Sequence, residues 1–276
     1  MKVVRLVAFA SVAALAAAPA SAVTYSAIQS TIKYTKESTT KASGFGNYAR
    51  ATSSVKFDPA TGTYTVRDTG NISLTSAFGP SNNPVTSGAF TTYSKAAGTE
   101  TLRLYQSGQP TQGVTLTYTG FGQWRRTAPA TLTPGTNVND TYFVYGTKTA
   151  PSEITSGNAT YTTAADGTFV NRNGVYAVTG NGTFNANFGA RTVGYSSTLA
   201  GSREGDGAAL AFGTLTGTGT IATAASSFQG AGAFNGSGYR MDVNGYFFGP
   251  GATEVGGVFR LYGNGGNGQG ALVGKQ

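Results

Sequence analysis

Few residues of this chain could do chemistry, and the types that are missing decide most of what it can be. The 276 residues include neither histidine nor cysteine. That excludes Ser-His-Asp and Cys-His catalysis, His- or Cys-bound zinc, disulfides, and a lipid anchor on an N-terminal cysteine. Haem could be held only through Tyr or Met. The eleven Asp and Glu residues could supply a glycosidase pair, but nothing in their spacing clusters them. The reading is a non-enzyme.

Trp124-Arg125-Arg126 is the best local candidate for a ligand contact. It joins the only Trp to the only Arg-Arg dipeptide, and both types are enriched at binding hot spots. A competing reading puts Trp124 in the core of the N-terminal half and both arginines in water. Glu204 and Asp206 could form a small calcium loop. Two carboxylates are few for a site of six to eight oxygens, so a solvated hairpin tip is the favoured reading. Residues 263–268, GNGGNG, match G-x-G-x-x-G literally, yet no βαβ unit surrounds them, and they read as a glycine loop. For haem, Tyr93 or Tyr105 could serve as an axial ligand, whereas Met241 shares an apolar strand face with Tyr239 and Val243 and reads as core. Asn-x-Ser/Thr triplets such as Asn71-Ile72-Ser73 are expected by chance in this composition.

The elements that must position these residues are strands. Period-2 alternation punctuated by Gly, Pro, Asn and Asp recurs along the chain, and no segment holds a helical period. Residues 54–67 read as a hairpin in which Val55 and Phe57 face Tyr64 and Val66 across the turn at Asp58–Gly62. Further strands are expected at 72–76, 101–106, 114–118 and 141–145, with long loops at 77–100 and 125–139. Beyond residue 150 strands come faster: 160–161, 175–180, 183–188, 191–199, 209–215, 218–223, 228–234, 239–248 and 255–261. Phe184, Ala186 and Phe188 share one face of theirs. Residues 1–22 read as a cleaved signal peptide, with Lys2 and Arg5 before an apolar run and Ala20-Ser21-Ala22 at its end. The net charge of +8 includes those two residues. With charged residues at only 11% and no basic stripe, nucleic-acid binding is not expected.

The segment 238–259, GYRMDVNGYFFGPGATEVGGVF, is the most specific in the chain. With Gly157-Asn158-Ala159-Thr160-Tyr161, the run 182–188 and Val193-Gly194, it resembles the C-terminal β-barrel of the transferrin-binding protein B-like solute-binding proteins. The factor H-binding proteins share a related barrel. Within the motif, Phe247 and Phe259 read as core plugs, Gly249-Pro250 as a corner and Gly256-Gly257 as a close approach of strands. The whole motif therefore reads as barrel closure. Ala271-Leu272-Val273 departs from the family's usual Phe-Gly.

The resemblance implies an all-β chain: an N-terminal β-rich handle domain over residues 23–150, then an eight-stranded antiparallel barrel over 151–276. It also implies a Gram-negative, exported binding protein at the periplasm, outer surface or medium. The ligand would be a host protein, haem or another solute, with an outer-membrane translocator or receptor as a further partner. Two alternatives stay open. One is a structural or adhesive surface protein. The other is an integral outer-membrane barrel, against which the apparent shortness of the strands and their Thr/Asn-rich outward faces both count.

Overall fold

The computed structural model describes residues 21–68, 74–95 and 98–276, with side chains outside 47–52. Most of the expected signal peptide and the Asn71 triplet lie outside the described residues, as do the first two positions of the strand expected at 72–76. All helical turns among the described residues are short 3-10 segments.

The N-terminal half is a nine-stranded sheet ordered β4-β3-β2-β1-β11-β10-β7-β6-β5. Its strands are β1 (Val23–Ser38), β2 (Lys41–Asp58), β3 (Thr63–Asp68), β4 (Leu74–Phe78), β5 (Val85–Ser87), β6 (Phe90–Ser94), β7 (Glu100–Tyr105), β10 (Thr119–Pro129) and β11 (Thr136–Gly146). A separate two-stranded ribbon joins β8 (Pro110–Thr111) to β9 (Val114–Thr115). The hairpin at 54–67 is present in the expected register, with Val55 opposite Val66 and Phe57 opposite Tyr64. Gly62 takes the left-handed conformation at its turn (φ 62°).

Two expected loops are corrected. Strands β5 and β6 occupy part of 77–100, and β10 and β11 consume most of 125–139, leaving a short tip. Thr and Asn read as loop residues in the sequence, but here they form the polar positions of half-buried strands.

This sheet curls until its ends meet. Tyr64 of β3 and Tyr93 of β6, far apart in strand order, bring their rings to 5.9 Å between centroids. Ser76 of β4 donates to Glu100 of β7 (2.5 Å). The hollow is filled by Phe78, Leu102, Trp124 and Phe143, among others.

The C-terminal half is a closed antiparallel barrel, β12 through β19 in sequence order. The strands are β12 (Asn158–Asn171), β13 (Gly174–Asn187), β14 (Thr192–Arg203), β15 (Ala209–Ile221), β16 (Ser227–Phe234), β17 (Arg240–Phe248), β18 (Glu254–Gly263) and β19 (Gly266–Lys275). Expected strands 175–180 and 183–188 are one strand, as are 209–215 and 218–223. Glycine at the junctions thins the pattern without ending the pairing.

The supposed glycine loop at 263–268 is a hairpin. Asn264 and Gly265 both have positive φ (48° and 70°), the requirement of a tight two-residue turn, and β19 begins directly after it.

Aromatic side chains pack the barrel interior. Phe184, Phe212, Phe247 and Phe259 are completely buried, and Met241 and Val243 sit with them. The expected core plugs are where the alternation puts them. Glycines make room: the Phe259 ring lies where a Cβ at Gly167 would stand, only 2.8 Å away.

Strand length no longer argues against a membrane barrel, since these strands run from 8 to 14 residues. Polarity does argue against it. On β13, Phe184 and Ala186 point inward while Thr183, Asn185 and Asn187 are exposed. That reverses the apolar-out pattern of a lipid-embedded barrel.

Candidate functional site

The two halves are held together by chemistry that the sequence motif concealed. Glu254, the acid inside the barrel-closure motif, is fully buried. Its carboxylate accepts backbone N–H bonds from Thr117 (2.6 Å), Tyr118 (2.9 Å) and Thr119 (2.8 Å). Phe248, Val258, Ala271 and Val273 on the outside of the barrel pack against Phe121 and Val144 of the curled sheet. A Cβ on Gly256 would sit 2.7 Å from the Val144 side chain, so this glycine admits the neighbouring sheet. Gly257 admits a barrel strand, because a Cβ there would meet the Asn244 carbonyl at 2.5 Å. The segment is therefore a seam between the halves as well as a barrel closure.

Strand alternation separates the members of Trp124-Arg125-Arg126. Trp124 is buried in the hollow of the curl, and Arg126 lies over its ring at 4.5 Å while reaching Asp68 at 3.5 Å. Arg125 points to the opposite face, towards the barrel. It donates from Nε and Nη2 to Asp140 (2.7 and 2.8 Å) and from Nη2 to Glu204 (2.9 Å). Lys36 also pairs with Glu204 (2.9 Å), and the Tyr34 hydroxyl donates to Asp140 (3.0 Å).

Neither arginine is simply solvated, and the hairpin-tip reading of Glu204 is corrected, since this carboxylate bridges the two halves. Burial works against its charge, but Arg125 and Lys36 prevail and hold it below the ordinary glutamate range. Asp206 does sit at the exposed tip, paired to Arg203 at 2.7 Å. Both carboxylates of the supposed calcium loop are thus committed to cations of the chain. A second bridge joins Arg103 to Asp166 (2.5 Å). Burial leaves Asp166 above its usual range even though Arg103 pulls it down.

A surface able to receive a ligand lies at one open mouth of the curl. It is a cleft of about 410 Å³, within the range of small-ligand sites. Its walls come from β1, β2, β3, β6, β7, β10 and β11, so it exists only because the sheet curls. Tyr25 and Tyr145 meet at 5.6 Å, and Phe57 and Tyr64 at 4.6 Å. On the other side Gln106 donates to Thr91 and Thr86. Gly120 leaves space that the Tyr145 ring occupies. Tyr105 is structural here. Its hydroxyl donates to the Gln109 carbonyl (2.5 Å) and accepts from the Leu116 amide (2.9 Å).

Of the sixteen described residues that line it, eleven carry a hydroxyl, only Phe57 and Leu104 are large and purely apolar, and none is charged. Burial pushes the phenols of Tyr64, Tyr93 and Tyr145 above the usual range, with neighbouring tyrosines adding to the effect at Tyr64 and Tyr145. They remain neutral hydroxyls in water. Of these, the sequence offers only Tyr93 as a ligand contact, and Tyr64 only as a hairpin residue. The remaining wall residues are scattered from residue 25 to residue 147 and meet only through sheet topology.

A curled open sheet backed against a closed eight-stranded barrel, with an aromatic mouth on the open sheet, defines a two-part all-β scaffold. The chain is similar over much of its length to solved structures of transferrin-binding protein B. A double mutant from Haemophilus parasuis Hp5 is 15% identical with a TM-score of 0.47, covering 93% of this chain and 76% of that one. The isotype 1 protein of serogroup B Neisseria meningitidis is 13% identical with a TM-score of 0.40, covering 93% and 77%. The N-lobe of lactoferrin-binding protein B of Moraxella bovis is 14% identical with a TM-score of 0.37, covering 62% and 79%. No protein-family model and no curated protein matches the sequence.

Proposed function

We propose that this is an exported, non-enzymatic binding protein that holds its ligand in the mouth of the curled N-terminal sheet, with the barrel as its rigid support. The carrying observation is the cleft itself. Seven strands build it, its rings are half-buried, and its polar groups are neutral. Export is supported by the signal-like sequence of residues 1–22.

Haem fits this mouth poorly. Its propionates would find no Lys or Arg in the walls, and a ligating tyrosinate would have to form where burial opposes ionisation. The expected host-protein partner remains compatible with the reading, since a cleft of this kind can take a projecting group of a larger molecule.

The test is a fragment screen by NMR on protein with labelled tyrosine rings. Fragments are expected to shift Tyr64, Tyr93 and Tyr145 together. A screen in which every hit maps elsewhere would reject the site.

A further inference from the structure

We propose that the cleft is a saccharide subsite taking a neutral sugar ring, stacked on tyrosine faces and hydrogen-bonded through its hydroxyls. The inference rests on the binding reading above and names its ligand class. A pyranose has an apolar C–H face and a rim of hydroxyls that both donate and accept. A matching site needs flat aromatic surface beside uncharged groups with the same dual capacity.

The mouth offers both. Tyr25, Tyr64, Tyr93 and Tyr145 converge closely enough for their phenols to influence one another, and no side-chain hydrogen bond is recorded for these four hydroxyls among the described residues. Thr91 and Gln106 supply a hydroxyl and an amide from the opposite wall.

Two other chemistries fit less well. A lipid or greasy ligand calls for aliphatic walls, and Leu104 is the only aliphatic residue larger than threonine in the lining. An anionic ligand calls for a cation, and the walls have none. The volume of about 410 Å³ suits a short terminal stretch of glycan better than an extended chain.

The experiment is a glycan array probed with the mature protein. It carries neutral hexose- and N-acetylhexosamine-terminated oligosaccharides beside sialylated and sulfated ones, and the best binder is titrated calorimetrically. Neutral glycans are expected to bind, with affinity insensitive to added salt. Tyr93→Ala should weaken binding by about tenfold or more through loss of the stacking face. Tyr93→Phe should cost only about threefold, the share of one hydroxyl.

Tyr118, at 40% exposure, gives a second variant, Tyr118→Ala, which keeps the backbone N–H that Glu254 accepts and whose fold is checked by its Tm. It should also weaken the same glycan. Binding confined to anionic glycans, or neutral binding untouched by all these variants, would overturn the proposal. So would an array without hits where aromatic fragments or peptides still shift Tyr64 and Tyr93, an outcome that leaves the binding cleft standing. Failure of every probe at the mouth would reject both readings.

Discussion

Among the carboxylates that join the halves of this molecule, Glu254 and Glu204 do so by different physics, and each makes its own prediction. Glu254 is buried and satisfied by three backbone donors. Hydrogen bonds to a charged group contribute about 1.5–3 kcal/mol each, and an unmatched donor left in the interior costs about 1–3 kcal/mol. Glu254→Gln, which turns one acceptor oxygen into an N–H facing other N–H groups, should destabilise the protein by about 2 kcal/mol or more in urea denaturation.

Glu204 makes a pH prediction instead. It faces Arg125 and Lys36, with Tyr34 and Asp140 beyond the guanidinium, and its folded carboxyl titrates below the ordinary 4.5. Its contribution is therefore complete above pH 4.5 and is lost as pH falls through the lower folded value. Asp166 has the opposite sign. Burial holds it above the ordinary 3.8, so its ionisation weakens the fold as pH rises through that interval. Glu204→Gln should flatten the loss of stability on acidification below pH 4.5, measured by denaturant melts at a series of pH values. An unchanged acid limb would show that Glu204 does not bridge the halves in solution.

Within single elements, glycine and aromatic residues act as one unit. Phe259 spreads its ring across neighbouring strands, and a methyl group on Gly270 would press on that ring and lie 2.5 Å from the Asp166 carbonyl. Gly270→Ala should therefore cost about 1–3 kcal/mol, the usual penalty of overpacking, and Tm measurement would reveal it. Gly265→Ala, at an open turn with φ 70°, should cost about 1–2 kcal/mol through backbone strain alone.

The same pairing explains what could be read in advance. Inward alternation at Phe184, Ala186 and Phe188, or at Tyr239, Met241 and Val243, was legible because bulky and polar residues alternate without a break. Strand β19 was not, since its Gly-Asn-Gly-Gln-Gly run carries no hydrophobic period and its burial depends on rings lent by other strands. β1 was missed for a related reason, because Gln29, Ser30 and Thr31 are buried polar residues whose partners lie on distant strands. The tyrosines that line the cleft could be counted in the sequence, but nothing local says that Tyr64 and Tyr93 touch.

At the scale of the whole molecule, the curled sheet and the barrel share an apolar seam and a charged bridge, which ties their stabilities together. Arg125→Ala would leave Asp140, fully buried, without its cation. Loss of one partner from a buried pair costs about 3–5 kcal/mol. Tryptophan fluorescence, which reports the curl through Trp124, and circular dichroism, to which the strands of both halves contribute, should then shift to lower denaturant together. Separate transitions would show that the halves unfold independently.

Closure of the barrel carries a further consequence, one of time. β12 finds its second neighbour only in β19, where Thr162 lies opposite Lys275 and Val170 opposite Asn267. A ribosome or translocation pore releases β12 long before β19, so the barrel's first strand keeps a bare edge until nearly all the rest has emerged. Contacts this distant in sequence slow folding. The barrel therefore closes last and slowly, once its final strand is free to pair with its first.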